Sequence, residues 1–169
     1  MLVLFGPVAV RRGEPSDTPR RASQLITAAD QWRSFQSGVP ADHGSPIELD
    51  DFAAWAKVNL ASDADSASRR PPAVLAPTGP QADIADAWSG CLPYDPARLR
   101  DPTLIVRGEW DSVTRDGDAA WLVRALANVP GGARDVRLPR GAHRMHLETN
   151  RRALFDAVGT FLGEPAGQP

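Results

Sequence analysis

Two stretches decide the fold: Asp101-Pro-Thr-Leu-Ile-Val-Arg-Gly-Glu-Trp-Asp111 and, further on, Leu138-Pro-Arg-Gly-Ala-His143. Thr103–Val106 is a short, uniformly apolar run of the kind that forms a strand buried on both faces of a parallel sheet. It ends at Arg107-Gly108 and leaves Asp111 just beyond its C-terminal end, the end at which open α/β sheets place their ligands. The spacing predicts an amphipathic helix over 116–127, with Ala120, Leu122, Val123 and Leu126 apolar, and a second strand over 135–139. His143 then lies on the loop after that strand, where Gly141 permits unusual backbone angles. An isolated loop aspartate usually caps a helix or forms a turn, and a lone loop histidine is usually a surface residue. The pair says more than either member. One helix and one strand separate them, so adjacent parallel strands bring their loops side by side, where a carboxylate can orient an imidazole.

Working outward, Asn150 can cap a last helix whose Leu154, Phe155, Val158, Phe161 and Leu162 share one face. Towards the N-terminus, residues 2–10 read as a strand, apolar throughout, with Gly6-Pro7 ending its regular part. Residues 11–22 read as a polar loop containing Pro15 and Pro19. A helix is expected from Ser23 to Ser37 on the period of Leu25, Ile26, Ala29, Trp32 and Phe35, and another from Leu49 to Ala61 through Phe52, Trp55 and Ala56. Residues 62–81, rich in Ser, Asp, Arg and Pro, read as irregular, and a short helix follows over 82–88. Strands alternating with helices predict an α/β fold with a parallel sheet.

The chain has 169 residues, enough for one domain with a modest core. Its 42% hydrophobic and 24% charged residues are ordinary for a globular protein, and a net charge of −2 gives no electrostatic reason to expect nucleic acid or an anionic membrane as a partner. Lys57 is its only lysine among many arginines, which reads as coding bias and not function. The single cysteine, Cys91, excludes an intramolecular disulfide, and no apolar run reaches the roughly 18 residues of a membrane span. In the apolar N-terminus, Arg11 and Arg12 follow the apolar stretch; a secretory signal has its positive charge first. A cytoplasmic location is the default expectation. No phosphate loop, dinucleotide motif or metal-ligand cluster stands out, so no cofactor is expected.

Leu104-Ile-Val-Arg-Gly-Glu-Trp-Asp111 resembles the acid-bearing strand of α/β-hydrolases. Arg140-Gly-Ala-His-Arg-Met-His-Leu-Glu148 with the helix after it resembles their histidine loop and last helix, and Leu2-Val-Leu-Phe-Gly-Pro7 the strand that follows their nucleophile helix. The resemblance implies a partial α/β-hydrolase fold of about three parallel strands with flanking helices. Residues 1–10 and 101–163 would form the C-terminal part of the core, 11–100 a helical cap, and 164–169 a flexible tail. Asp111 then matches the triad acid and His143 the general base, with Glu109 a less favoured acid and His146 a less favoured base. His43, in a Gly/Pro-flanked loop, reads as solvated. Trp32, Phe35, Phe52, Trp55 and Trp88 either hold the cap helices together or line an apolar substrate pocket, with Trp32, Phe35, Trp55 and Trp88 the candidates for the pocket; the pattern leaves both open.

The family's serine sits on a G-x-S-x-G elbow ahead of these segments, and no G-x-S-x-G occurs in this chain. Ser89-Gly90-Cys91 lacks the strand-to-helix setting an elbow needs. The expectations are therefore a piece of a hydrolase with an internal or mis-assigned start at Met1, without catalysis of its own, and a first strand with one open edge. A small-molecule substrate is expected of the completed protein. The open edge suggests self-association or a partner chain.

Overall fold

The computed structural model describes residues 1–11 and 22–164. The elements in chain order are β1 (Leu2–Phe5), β2 (Ser23–Thr27), α1 (Ala28–Phe35), α2 (Leu49–Ala61), β3 (Ala73–Pro77), α3 (Gly79–Trp88), β4 (Thr103–Gly108), α4 (Asp116–Ala125), β5 (Ala133–Leu138) and α5 (Arg151–Gly163). Three strands form a parallel sheet in the order β1-β4-β5, with Leu2 opposite Thr103 and Thr103 opposite Ala133. This is the α/β arrangement expected from the last third of the chain.

The centre of the sheet is β4, buried along its whole length. Its side chains alternate between two layers, as a pleated strand requires. Leu104 and Val106 face one way and join Leu138, Met145, Leu154 and Phe161 of β5, the histidine loop and α5. Ile105 faces the other way and joins Ala9, Leu122, Leu126 and Val129 around α4. Burying each such side chain contributes about 1.5–3 kcal/mol, so these layers fix where β4 ends. Arg107, the one charge on β4, is buried but paired: its guanidinium bonds Asp135 of β5 at 2.9 and 3.0 Å and Asp116 at the start of α4 at 2.6 Å.

Several expectations need correction. The regular part of the first strand ends at Phe5, as Gly6-Pro7 foretold: Gly6 turns the chain at φ +51°, and residues 7–10 are not strand. Its side chains are half-buried instead of enclosed, since β1 pairs with one strand among the described residues. The helix expected from Ser23 begins only at Ala28. Thr27 and Asp30 form a capping box there: Thr27 Oγ1 accepts from Asp30 N (3.1 Å) and Asp30 Oδ2 accepts from Thr27 N (2.9 Å). Ser23–Thr27 instead pairs antiparallel with Ala73–Pro77, placing Leu25 opposite Leu75. Residues 62–81 are accordingly not irregular: they hold a 3-10 turn at Ser66–Ser68, then β3 and the first residues of α3. The last strand starts two residues and ends one residue earlier than expected, and α4 ends two residues sooner. The expected loop over 11–22 and tail over 164–169 lie almost entirely outside the described residues.

Between β1 and β4, α1 and α2 enclose a separate cluster of Phe35, Ile47, Phe52 and Ala56, flanked by Trp32, Trp55 and Leu147. Leu147 belongs to the histidine loop, so this insert packs directly on the segment that carries His143. Among the described residues no helix is long and apolar enough to cross a membrane.

Candidate active site

The chain leaves β4 at Gly108 and is immediately fastened to the loop after β5. Glu109 N donates to Leu138 O at 2.9 Å and Trp110 N to Gly141 O at 2.7 Å. A side chain on Gly108 could not be accommodated: its Cβ would lie 2.1 Å from Gly141 O and 2.5 Å from Ala142 O. The close approach of these two loops brings Asp111 to His143.

The Asp111 carboxylate has no solvent exposure. Its Oδ1 accepts the N–H groups of Val113 (2.8 Å) and Thr114 (2.9 Å), a turn that fixes the side chain from its own C-terminal side. Thr114 Oγ1 donates to Pro7 O at 2.8 Å, tying the same turn to the chain after β1. Nδ1 of His143 lies 3.1 Å from Oδ1 and 3.2 Å from Oδ2 of Asp111. An ionised carboxylate can only accept, so Nδ1 carries the proton and Nε2 of the neutral ring is left as a base. The imidazole is 37% exposed, unlike its partner. The pair is thus anchored at the carboxylate and accessible at the ring.

Two residues that carried no role in the sequence reading complete the surroundings. Gly6 lies against the pair: a Cβ there would be 3.0 Å from His143 Cε1, 3.1 Å from Nδ1 and 3.3 Å from Asp111 Oδ2. Glu148 is fully buried, and its two oxygens accept the N–H groups of Ala142 (2.8 Å) and Arg144 (3.0 Å), one on each side of His143. Burial raises the Glu148 carboxyl above its ordinary range, while the two N–H donors pull it back; the Asp111 charge adds to the rise and the His143 charge opposes it.

The other candidates fall elsewhere. Glu109 accepts from Arg140 N (2.9 Å) and pairs with Arg137 (3.3 Å). His146 stacks edge-on against Phe5, ring centroids 5.6 Å apart; partial burial lowers its pKa, as do the Arg144 and His143 charges. His43 is exposed but not merely solvated, for it lies 4.7 Å from the Trp110 ring. Ser89 closes α3 and its hydroxyl donates to Ala85 O. Trp32, Phe35, Phe52 and Trp55 stack on one another at centroid distances of 4.8–6.0 Å. Trp88 is separate from them, with the Arg11 guanidinium 4.0 Å above its ring. Among the described residues no group of three or more His, Cys, Asp or Glu could hold a metal ion.

The insert reaches both loops of the pair. Ser37 Oγ is 2.9 Å from Ser112 Oγ, and Gly38 lies so close to the acid turn that a Cβ would meet Trp110 O at 2.0 Å. Pro46 O accepts from Thr149 N at 2.9 Å, and the Arg144 guanidinium sits 4.6 Å over the Phe35 ring.

Fold and site together define an α/β protein with a parallel three-stranded sheet and a carboxylate–histidine pair on adjacent strand-end loops. No family model and no curated protein matches the chain. Among solved structures it is similar to an E-2-(acetamidomethylene)succinate hydrolase (TM-score 0.48, 20% identity, covering 85% of this chain and 48% of that one). It is also similar to a thermophilic esterase (TM-score 0.49, 18% identity, covering 95% of this chain and 55% of that one). The chain spans about half the length of either.

Proposed function

We propose that this chain supplies the acid and the general base of an α/β-hydrolase acting on an ester, amide or similar bond of a small molecule. The observation that carries the reading is Nδ1 of the partly exposed His143 held on the fully buried carboxylate of Asp111. In this reading Nε2 of His143 takes the proton of a serine hydroxyl as it attacks the carbonyl. The same nitrogen then returns the proton to the leaving group. Asp111 keeps the tautomer and stabilises the imidazolium formed in between.

The G-x-S-x-G elbow that would carry that serine does not occur in this sequence. Its place, on this reading, is a strand that pairs with the free edge of β1, whose C-terminal turn at Gly6 already touches the Asp–His pair. By itself the chain is then without hydrolytic activity. Residues 11–100 serve as the cap, and the half-exposed parts of Trp32 and Trp55 are the surfaces through which it meets an apolar substrate; Phe35 is a packing residue. The bond cleaved is not chosen by the fold.

The test is to translate this chain together with the reading frame upstream of Met1 and assay 4-nitrophenyl esters. Hydrolysis should appear, and kcat/KM should fall by about 10⁶-fold in His143→Ala and by about 10⁴-fold in Asp111→Asn. Full activity in His143→Ala would end this assignment. A chain that binds a partner along β1 but yields no hydrolysis with it would favour a non-catalytic interaction module.

A further inference from the structure

A buried carboxylate is costly unless something compensates it, and Glu148 has no ion-pair partner among the described residues. What it has is two charge-assisted hydrogen bonds, 2.8 Å from Ala142 N and 3.0 Å from Arg144 N, and these two residues flank His143. Bonds of this type are roughly twice as strong as neutral ones. One rigid side chain therefore grips the backbone immediately before and immediately after the histidine.

The rest of the loop shows what that grip achieves. Met145 is buried in the core beneath the sheet, and Arg144 is drawn towards Phe35 of the insert. Gly141 accepts from the acid turn. Each contact fixes a neighbour of His143; its own ring is held by Asp111 and approached by Gly6. The imidazole could still turn about its own bonds, and its direction is set by the backbone angles between residues 142 and 144. Glu148 is the group that ties those two points together.

We propose that Glu148 is a positioning residue for His143, clamping the N–H groups on either side of it so that Nδ1 stays on Asp111 and Nε2 faces outwards. This deepens the reading of His143 as a base, but the geometry it predicts is read from the ring itself, whether or not a hydrolysed substrate is found. A neutral side chain of the same shape cannot replace it. An amide has one acceptor oxygen, and its NH₂ would point at the second N–H donor.

The test uses ¹⁵N-histidine labelling of the full chain, which holds only three histidines, and compares wild type with Glu148→Gln and Glu148→Asp. In wild type, His143 should show the Nδ1–H tautomer and a far-downfield Nδ1 proton that disappears in Asp111→Asn. In Glu148→Gln that proton should exchange with water at least about tenfold faster, the size expected for losing one hydrogen bond to a charged group, and the ring should become a mixture of tautomers. Glu148→Asp, which keeps the charge but reaches less far, should restore part of the slow exchange. A Glu148→Gln chain that melts earlier while its His143 tautomer and proton exchange match wild type would overturn the proposal and leave Glu148 a loop anchor only. Should Glu148→Gln fail to fold, the same comparison in Glu148→Asp decides: wild-type exchange in a less stable chain overturns it. A wild-type chain with no downfield proton sensitive to Asp111 would instead overturn the Asp–His pair, a failure distinct from that of the clamp.

Discussion

Gly6 sits at φ +51° with the His143 imidazole filling the space a side chain would need. For a residue with a Cβ that backbone conformation costs about 1–2 kcal/mol, and here the Cβ would also press on Cε1 and Nδ1 of the ring. Gly6→Ala should therefore lower unfolding stability by at least that amount in urea titrations and displace the imidazole from Asp111, seen as loss of its downfield proton. A variant as stable as wild type with the ring unmoved would show that β1 and the pair are not in contact. Gly108 and Gly38 stand under tighter limits, since a Cβ on them would lie 2.1 and 2.0 Å from a backbone carbonyl oxygen. None of these three constraints can be read locally. Gly6 meets His143 only because β1 lies beside β4, a pairing across some hundred residues. Glu148 was equally hidden, since its partners are backbone N–H groups that any residue except proline would offer at 142 and 144. Asp111 and His143, by contrast, were legible, because a strand, a helix and a strand in close succession leave few ways to arrange the two loops.

At the scale of elements, the ribbon of β2 and β3 shows where pattern reading failed. Leu25 and Ile26 fit the helical period of Trp32 and Phe35, yet they belong to a strand whose partner lies beyond α2. A period measured within one window has no access to such a partner, and the prolines around β3 obscured the other half. The signal that was present, Thr27 with Asp30, marks the true start of α1. Two strands alone are marginal in water, and a side chain supports this pair: Asp63 accepts from Leu75 N (2.8 Å) and Asp65 N (3.0 Å) and bonds Arg69 at 2.6 Å. The Leu75 N–H first, then the Arg69 and Asp65 bonds, hold its carboxyl down at about 2. Its folded pKa is below the ordinary 3.8, so the stabilisation is complete above pH 3.8 and is lost as pH falls towards 2. Asp63→Asn should weaken the ribbon at neutral pH and remove this part of the acid dependence, measured by hydrogen exchange at β3 amides between about pH 4 and 2. Identical acid profiles in the two chains would show that Asp63 does not carry it.

For the whole molecule, the sheet is the part the sequence described well and its edge is the part that matters next. On β4 every apolar position is buried as its pattern requires, but the helices follow their periods only in part. Leu122 on α4 and Leu126 at its end are buried, while Ala119 takes the place expected of the exposed Ala120; on α5 Leu154 and Phe161 are buried, while Phe155 and Leu162 are exposed. The strand β1 reads from sequence as enclosed and is half-buried, with Phe5 37% exposed at its end. Its outward N–H and C=O groups make no ladder among the described residues, and such an edge is a template for another strand. Sedimentation of the chain should show association that grows with concentration. A strictly monomeric chain through the micromolar range would mean that the edge is already covered.

The insert between β1 and β4 grips the acid turn through Ser37 and Gly38 and the histidine loop through Phe35 and Pro46. It is consequently no interchangeable cassette. A chimera carrying a foreign segment at this place would have to bring a glycine for the Trp110 carbonyl, a ring for Arg144 and an acceptor for Thr149, or lose the alignment beneath it. Laboratory diversification of this scaffold should therefore spare those anchor points and vary the outward faces of α1 and α2, where new side chains can be recruited without disturbing the pair below.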